Sequence, residues 1–75
     1  MKTYYWDFFG PRAQGTAQHF EIHMGEFLKK NGIGQCETGT VSLQAGHCAA
    51  WGRSEEGSPA VETALRPKRI ETKPD

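Results

Sequence analysis

The chain has 75 residues, which allows a single domain with one small hydrophobic core. A domain of this size buries only about 60% of the surface that its unfolded chain exposes, so self-association would help to stabilise it. Nine Lys and Arg residues balance nine Asp and Glu residues, and this lack of a basic excess makes nucleic acid an unexpected partner.

The first predicted element is a strand over residues 3–9, which is rich in aromatic side chains and ends at Gly10 and Pro11. Side chains alternate along a strand, so this segment carries aromatic residues on both faces. Tyr4, Trp6 and Phe8 share one face, whereas Thr3, Tyr5, Asp7 and Phe9 share the other.

The second predicted element is an amphipathic helix that begins at Thr16. Its apolar residues recur at the spacing of a helix and not of a strand: Ala17, Phe20, Met24, Phe27 and Leu28. The Thr16 hydroxyl is suited to cap the first turn. Alternatively, the helix begins at Pro11 and runs through Gly15, at the cost of a second glycine in its interior.

The end of this helix is predicted from three consecutive residues. Asn31 and Gly32 offer a left-handed exit, and Ile33 can then fold back on Leu28, as a Schellman motif requires. The helix is therefore expected to end just before Ile33.

The second half of the chain predicts a hairpin, a short helix and an edge strand. Two strands over residues 37–43 and 46–53 flank a short turn. The dipeptide Ser58-Pro59 is typical of a helix start and precedes a short helix over residues 60–65. Residues 68–72 carry enough β-branched character for a short strand at the sheet edge.

The order strand, helix, strand, strand, helix, strand is typical of a small ferredoxin-like (split βαβ) α+β fold. Two helices would then cover one face of a four-stranded antiparallel sheet. We expect a single domain over residues 1–72 and a frayed C-terminus over residues 73–75. If the last ten residues are disordered instead, the alternative is a βαββ unit with a disordered C-terminal tail.

The open face of this sheet is the main candidate for function. Either Tyr5 and Phe9 would face water there, or else Tyr4, Trp6 and Phe8. Trp51 on the neighbouring third strand can join the exposed aromatic residues. We therefore expect a non-catalytic domain that forms a homodimer, or binds another protein, through Tyr5, Phe9 and Trp51. Stacking of single-stranded nucleic acid is less expected, because no basic groove accompanies these aromatic residues.

The sequence contains no apolar run that is long enough for a secretion signal or a membrane span. We therefore expect a cytosolic protein with no membrane partner. Its two cysteines, Cys36 and Cys48, are expected to be reduced thiols.

The rival hypothesis is a small-ligand or metal-binding protein, with at most a minor enzymatic activity. His19, His23 and Glu26 stand at i, i+4 and i+7 on the predicted helix, so all three project from the same side and the two imidazoles could reach one metal ion. The spacing permits such a site without being specific for it, and we expect no cofactor.

Two further polar groupings accompany this hypothesis. Asp7 could join His23 and a third histidine, His47, around a cleft suited to general acid or base chemistry. Arg12 and Thr16 could form a weak anion site at the start of the helix. Asp7 and Arg12 could also form an ion pair at the end of the first strand.

Overall fold

The computed structural model describes residues 1–33, 36–55 and 57–73. It contains six elements: β1 (Lys2–Phe9), α1 (Ala13–Lys30), β2 (Glu37–Gln44), β3 (His47–Ser54), α2 (Pro59–Ala64) and β4 (Arg69–Thr72). The strands form one antiparallel sheet in the order β2-β3-β1-β4, and residues of both helices contribute to the same core. The prediction of a small α+β domain with four antiparallel strands and two helices is confirmed.

Helix α1 does not begin at Thr16, as was predicted, but three residues earlier. The helix begins at Ala13, whose N–H donates to the Gly10 carbonyl at 3.1 Å across a tight turn, and Gly10 has φ +108°. The Thr16 hydroxyl donates back to the Arg12 carbonyl at 3.0 Å and so does not cap the helix. The turn at Gly10 starts the helix early, and the interior Gly15 does not prevent it.

The predicted end of α1 is confirmed. The N–H of Ile33 donates to the Leu28 carbonyl at 2.8 Å and that of Gly32 to the Lys29 carbonyl at 3.2 Å. Gly32 has φ +69°, the left-handed conformation that glycine adopts without a steric penalty. These bonds form a Schellman motif, and Ile33 packs against the same core as Leu28.

The covered face of the sheet, defined by Tyr4, Trp6 and Phe8 of β1, packs against the helices. The buried members of this core are Tyr4, Trp6, Met24, Leu28 and Val61. The rings of Trp6 and Phe20 are 4.9 Å apart, between β1 and the middle of α1. The predicted apolar stripe of α1 therefore faces the core.

Polar atoms of two core residues hold α2 against the sheet. The Tyr4 hydroxyl donates to Glu62 at 2.6 Å and accepts from the Ser58 N–H at 2.8 Å. The Trp6 indole N–H donates to the Leu65 carbonyl at 2.8 Å. Because α2 has only six residues, these hydrogen bonds and the burial of Val61 locate it on the sheet.

The C-terminal segment forms a strand that ends at Thr72, which differs from the alternative prediction of a disordered tail. Residues of β4 pair with β1, from Tyr5 opposite Arg69 to Lys2 opposite Thr72. Lys73, predicted to be frayed, donates its N–H to the Met1 carbonyl at 2.9 Å and accepts from the terminal amine at 3.0 Å. The rest of the predicted frayed segment, positions 74 and 75, lies outside the described residues.

Candidate functional site

The candidate site is the open face of the sheet, the side opposite α1 and α2. In β1 this face comprises Thr3, Tyr5, Asp7 and Phe9, which lie opposite Arg53, Trp51, Ala49 and His47 of β3 in that order. Arg69 and Glu71 of β4 and Glu37, Gly39 and Val41 of β2 extend it to both edges. The structure thus places Tyr5, Phe9 and Trp51 on one surface, as predicted.

Arginine side chains cover two of these three aromatic residues. The Arg69 guanidinium lies 4.6 Å from the centre of the Tyr5 ring, and that of Arg53 lies 5.0 Å from the centre of the Trp51 ring. Both distances fall in the range of cation–π attraction. Tyr5 and Trp51 are therefore half-buried by their own chain.

The Trp51 ring also depends on a glycine in the neighbouring strand. A Cβ at Gly39 would lie only 2.6 Å from Cζ2 of Trp51, so the ring rests directly on the Gly39 backbone. A side chain at this position would displace the ring.

Asp7 is the centre of a polar network on the open face. Its two carboxylate oxygens accept from Arg69 at 2.9 and 3.0 Å, and Oδ1 also lies 3.0 Å from Nε2 of His47. The side chain of Asp7 is only 12% exposed. The hydrogen bonds from Arg69 are the main cause that lowers the pKa of Asp7, and the bond to His47 acts in the same direction against the opposing effect of burial.

The predicted pair between Asp7 and Arg12 does not form. Both oxygens of Asp7 are occupied by Arg69, which β4 brings beside β1. Arg69 could not be identified from the sequence, because its position beside Asp7 depends on the pairing register of a short edge strand. The one available signal was the predicted strand over residues 68–72, without a register.

The apolar end of the open face is the most exposed part of it. Phe9 is 73% exposed and stacks on the His47 ring, with the ring centres 4.3 Å apart. Val41, opposite Ala49, and Leu43, near the end of β2, are also exposed large apolar residues. Phe9 and Val41 thus form an exposed apolar end of the open face, and the exposed Leu43 lies at the irregularity of β2 between Ser42 and Gln44.

The predicted cleft of Asp7, His23 and His47 is formed only in part. Asp7 and His47 are in contact, but His23 lies on α1, which packs against the opposite face of the sheet. A cleft shared by all three residues is excluded because the sheet lies between His23 and the pair of Asp7 and His47. The remaining Asp7 and His47 pair has Arg69 and Phe9 as its neighbours.

His19, His23 and Glu26 are brought together on the exposed side of α1. Nε2 of His23 lies 3.1 Å from Nε2 of His19, and its Nδ1 lies 3.3 Å from Glu26. Glu26 thus contacts the far side of the His23 ring, away from the point where the two histidines meet. Among the described residues, no group of three His, Cys, Asp or Glu side chains has a geometry that could hold a metal ion.

The residues of the predicted anion site, Arg12 and Thr16, line a shallow groove with Gly15 and His19. Because the Thr16 hydroxyl is already bonded to the Arg12 carbonyl, its own part in anion binding is reduced. The groove and the histidine pair are adjacent on α1.

The two cysteines are free thiols, as expected, with Cys48 buried and Cys36 half-buried. Burial is the main cause that raises the pKa of the Cys36 thiol, which disfavours the reactive thiolate. Neither cysteine is therefore a candidate nucleophile.

Comparisons of the chain with models of protein families, with curated proteins and with solved structures found no match. No helix among the described residues is long and apolar enough to cross a membrane.

Proposed function

We propose that this chain is a non-catalytic association module that forms a homodimer through the open face of its sheet. The observation that carries the proposal is the exposure of Phe9, 73%, at an end of that face where Val41 is also exposed. Clustered apolar surface of this kind marks association sites in small domains.

The charges of the open face favour association with a second copy. Arg69 is paired with Asp7, and Arg53 donates to Glu37 at 2.9 Å, so each arginine already has an acidic partner in its own chain. A second copy that packs on this face therefore buries paired charges and avoids the large cost of an isolated one.

The shape of the domain is compatible with such an interface. Its principal extents are 33 × 28 × 18 Å, so its broad side is large enough for the roughly 800 Å² per partner that a standard interface buries. Equal patches related by a two-fold axis form a closed dimer.

The finer description of the fold is part of this proposal. We infer a ferredoxin-like arrangement, supported by the element order and by the central position of β1 and β3 in the strand order β2-β3-β1-β4. A cytosolic location is also inferred, and the free thiols of Cys36 and Cys48 support it.

Nucleic-acid stacking is the less favoured use of this face. The rings of Tyr5 and Trp51 are already covered by Arg69 and Arg53, so a base would have to displace a paired arginine before it could stack. The neutral charge of the chain gives no compensating attraction for phosphates.

Sedimentation velocity over a wide range of protein concentration tests the proposal. We expect a monomer–dimer equilibrium that Phe9→Ser weakens at least tenfold, since a two-fold interface loses the ring from both copies and truncation of an anchor residue costs about 2 kcal/mol or more. The matched control is Ile22→Ser, because Ile22 is 61% exposed but lies on α1. A wild-type monomer at all concentrations, or a dimer that only Ile22→Ser weakens, would contradict the proposal.

A further inference from the structure

A pair of histidines on successive turns of α1 forms a second feature that is independent of the open face. The rings of His19 and His23 lie with their centres 4.5 Å apart and their planes at 65°. Their Nε2 atoms are 3.1 Å apart. Both rings are on the solvent side of the helix, so an ion in solution can reach them.

The two Nε2 atoms are hydrogen-bonded to each other, but the rings do not lie end to end. In a linear bond between two Nε2 atoms the rings lie end to end, and their centres are then separated by the nitrogen distance plus the radius of each ring. Here the ring centres are 4.5 Å apart and the Nε2 atoms are 3.1 Å apart, and the difference is smaller than the sum of the two ring radii. The rings therefore lie at an angle, with both Nε2 atoms at the near side.

Glu26 fixes the state of one of these rings. Its carboxylate is 3.3 Å from Nδ1 of His23, which favours the tautomer that carries the proton on Nδ1. Nε2 of His23 is then unprotonated, and its lone pair lies on the side of the ring that faces His19. Carboxylates hold metal-binding histidines in this way in many proteins.

We propose that His19 and His23 chelate a divalent late first-row transition metal through their Nε2 atoms, with Glu26 as a positioning residue. At the usual metal–nitrogen distance of about 2.0–2.1 Å, two nitrogens 3.1 Å apart subtend an angle of about 95–100° at the ion. This angle lies between the right angle of tetragonal Cu²⁺ or Ni²⁺ sites and the tetrahedral angle, so either geometry can accommodate the pair.

The remaining coordination positions are open to solvent. With two protein ligands the ion keeps water or an anion, and the adjacent groove offers the Arg12 side chain as a partner for an anionic co-ligand. This two-ligand site is consistent with the absence of three-ligand groups among the described residues.

Calorimetric titration of the tag-free protein with Ni²⁺ alone tests the proposal, since Ni²⁺ does not oxidise the thiols. We expect one ion per chain, and a loss of affinity in His19→Gln and in His23→Gln beyond the 10–100-fold that removal of an outer-shell partner typically costs. Glu26→Gln should weaken binding about tenfold. His47→Gln is the matched control, because His47 lies on the open face, and its affinity should equal that of the wild type.

The titration also separates this site from the proposed dimer. Phe9→Ser should bind Ni²⁺ as tightly as the wild-type protein, whatever its state of association. Absence of Ni²⁺ binding, unchanged affinity in both His19→Gln and His23→Gln, or an equal loss in His47→Gln would overturn the metal site.

Discussion

The two faces of the sheet use the same kind of side chain in opposite ways. On the covered face, Tyr4 and Trp6 are buried under two helices, and their polar atoms are bonded to α2. On the open face, Tyr5 and Trp51 are covered only by arginine side chains. Aromatic residues on both sides of a strand therefore do not imply two bare or two buried faces, because long cationic side chains can shield the second one.

The largest expected effect is the difference in folding stability between substitutions of the two tryptophans. Trp6→Ala should lower the free energy of unfolding by about 3–5 kcal/mol, since it leaves a cavity between β1 and α1 and an unpaired Leu65 carbonyl. Trp51→Ala should cost no more than about half of that, because its ring is partly exposed. Urea denaturation measures both values. Equal costs would show that the open face is part of the core.

A smaller effect separates the two tyrosine hydroxyls. Tyr4→Phe should cost about 1–3 kcal/mol, because the buried N–H of Ser58 loses its acceptor. Tyr5→Phe should cost under about 0.5 kcal/mol, since its hydroxyl bond to Glu71 is exposed to water. Thermal denaturation of the two variants measures both losses of stability. A larger loss in Tyr5→Phe than in Tyr4→Phe would contradict the prediction.

The smallest of these effects depends on pH. Asp7→Asn should cost about 1 kcal/mol at neutral pH, less than a fully buried pair because Arg69 is half exposed. The folded-state pKa of Asp7 is below its ordinary value of 3.8, so its contribution is complete above that value and is lost as the pH falls through the folded pKa. The difference between wild type and variant should therefore vanish in strong acid.

Denaturation curves recorded between pH 7 and pH 2 measure this dependence. The hydrogen bond from the Tyr4 hydroxyl also lowers the pKa of Glu62, so Asp7→Asn should reduce the acid sensitivity of the protein without abolishing it. A difference that stays constant over the whole range would contradict the role assigned to the Asp7 carboxylate.

Local signals in the sequence predicted most of the fold. The Schellman end at Gly32, the hairpin and the Ser58 cap each depend on neighbouring residues, and all three are observed; the Ser58 hydroxyl accepts from the Val61 N–H at 3.3 Å. The Thr16 start of α1 was wrong, because a turn at Gly10 overrides the local capping preference.

The candidate site could be predicted only in part. Alternation along β1 placed Tyr5 and Phe9 on one face, but the partners of these residues depend on pairing register. Arg69 is 62 residues from Asp7 along the chain, and no short-range pattern connects them. For the same reason, the cation–π cover of the open face was not predicted.

The most direct test of the central claim is ¹⁹F NMR of protein labelled with 5-fluorotryptophan, recorded over a wide range of protein concentration. The two tryptophans report separately on the two faces, Trp6 on the covered one and Trp51 on the open one, and Trp51→Phe assigns the signals. If a second copy packs on the open face, the Trp51 resonance will shift with concentration while the Trp6 resonance stays constant. A constant Trp51 resonance in a protein that does dimerise would show that association uses another surface.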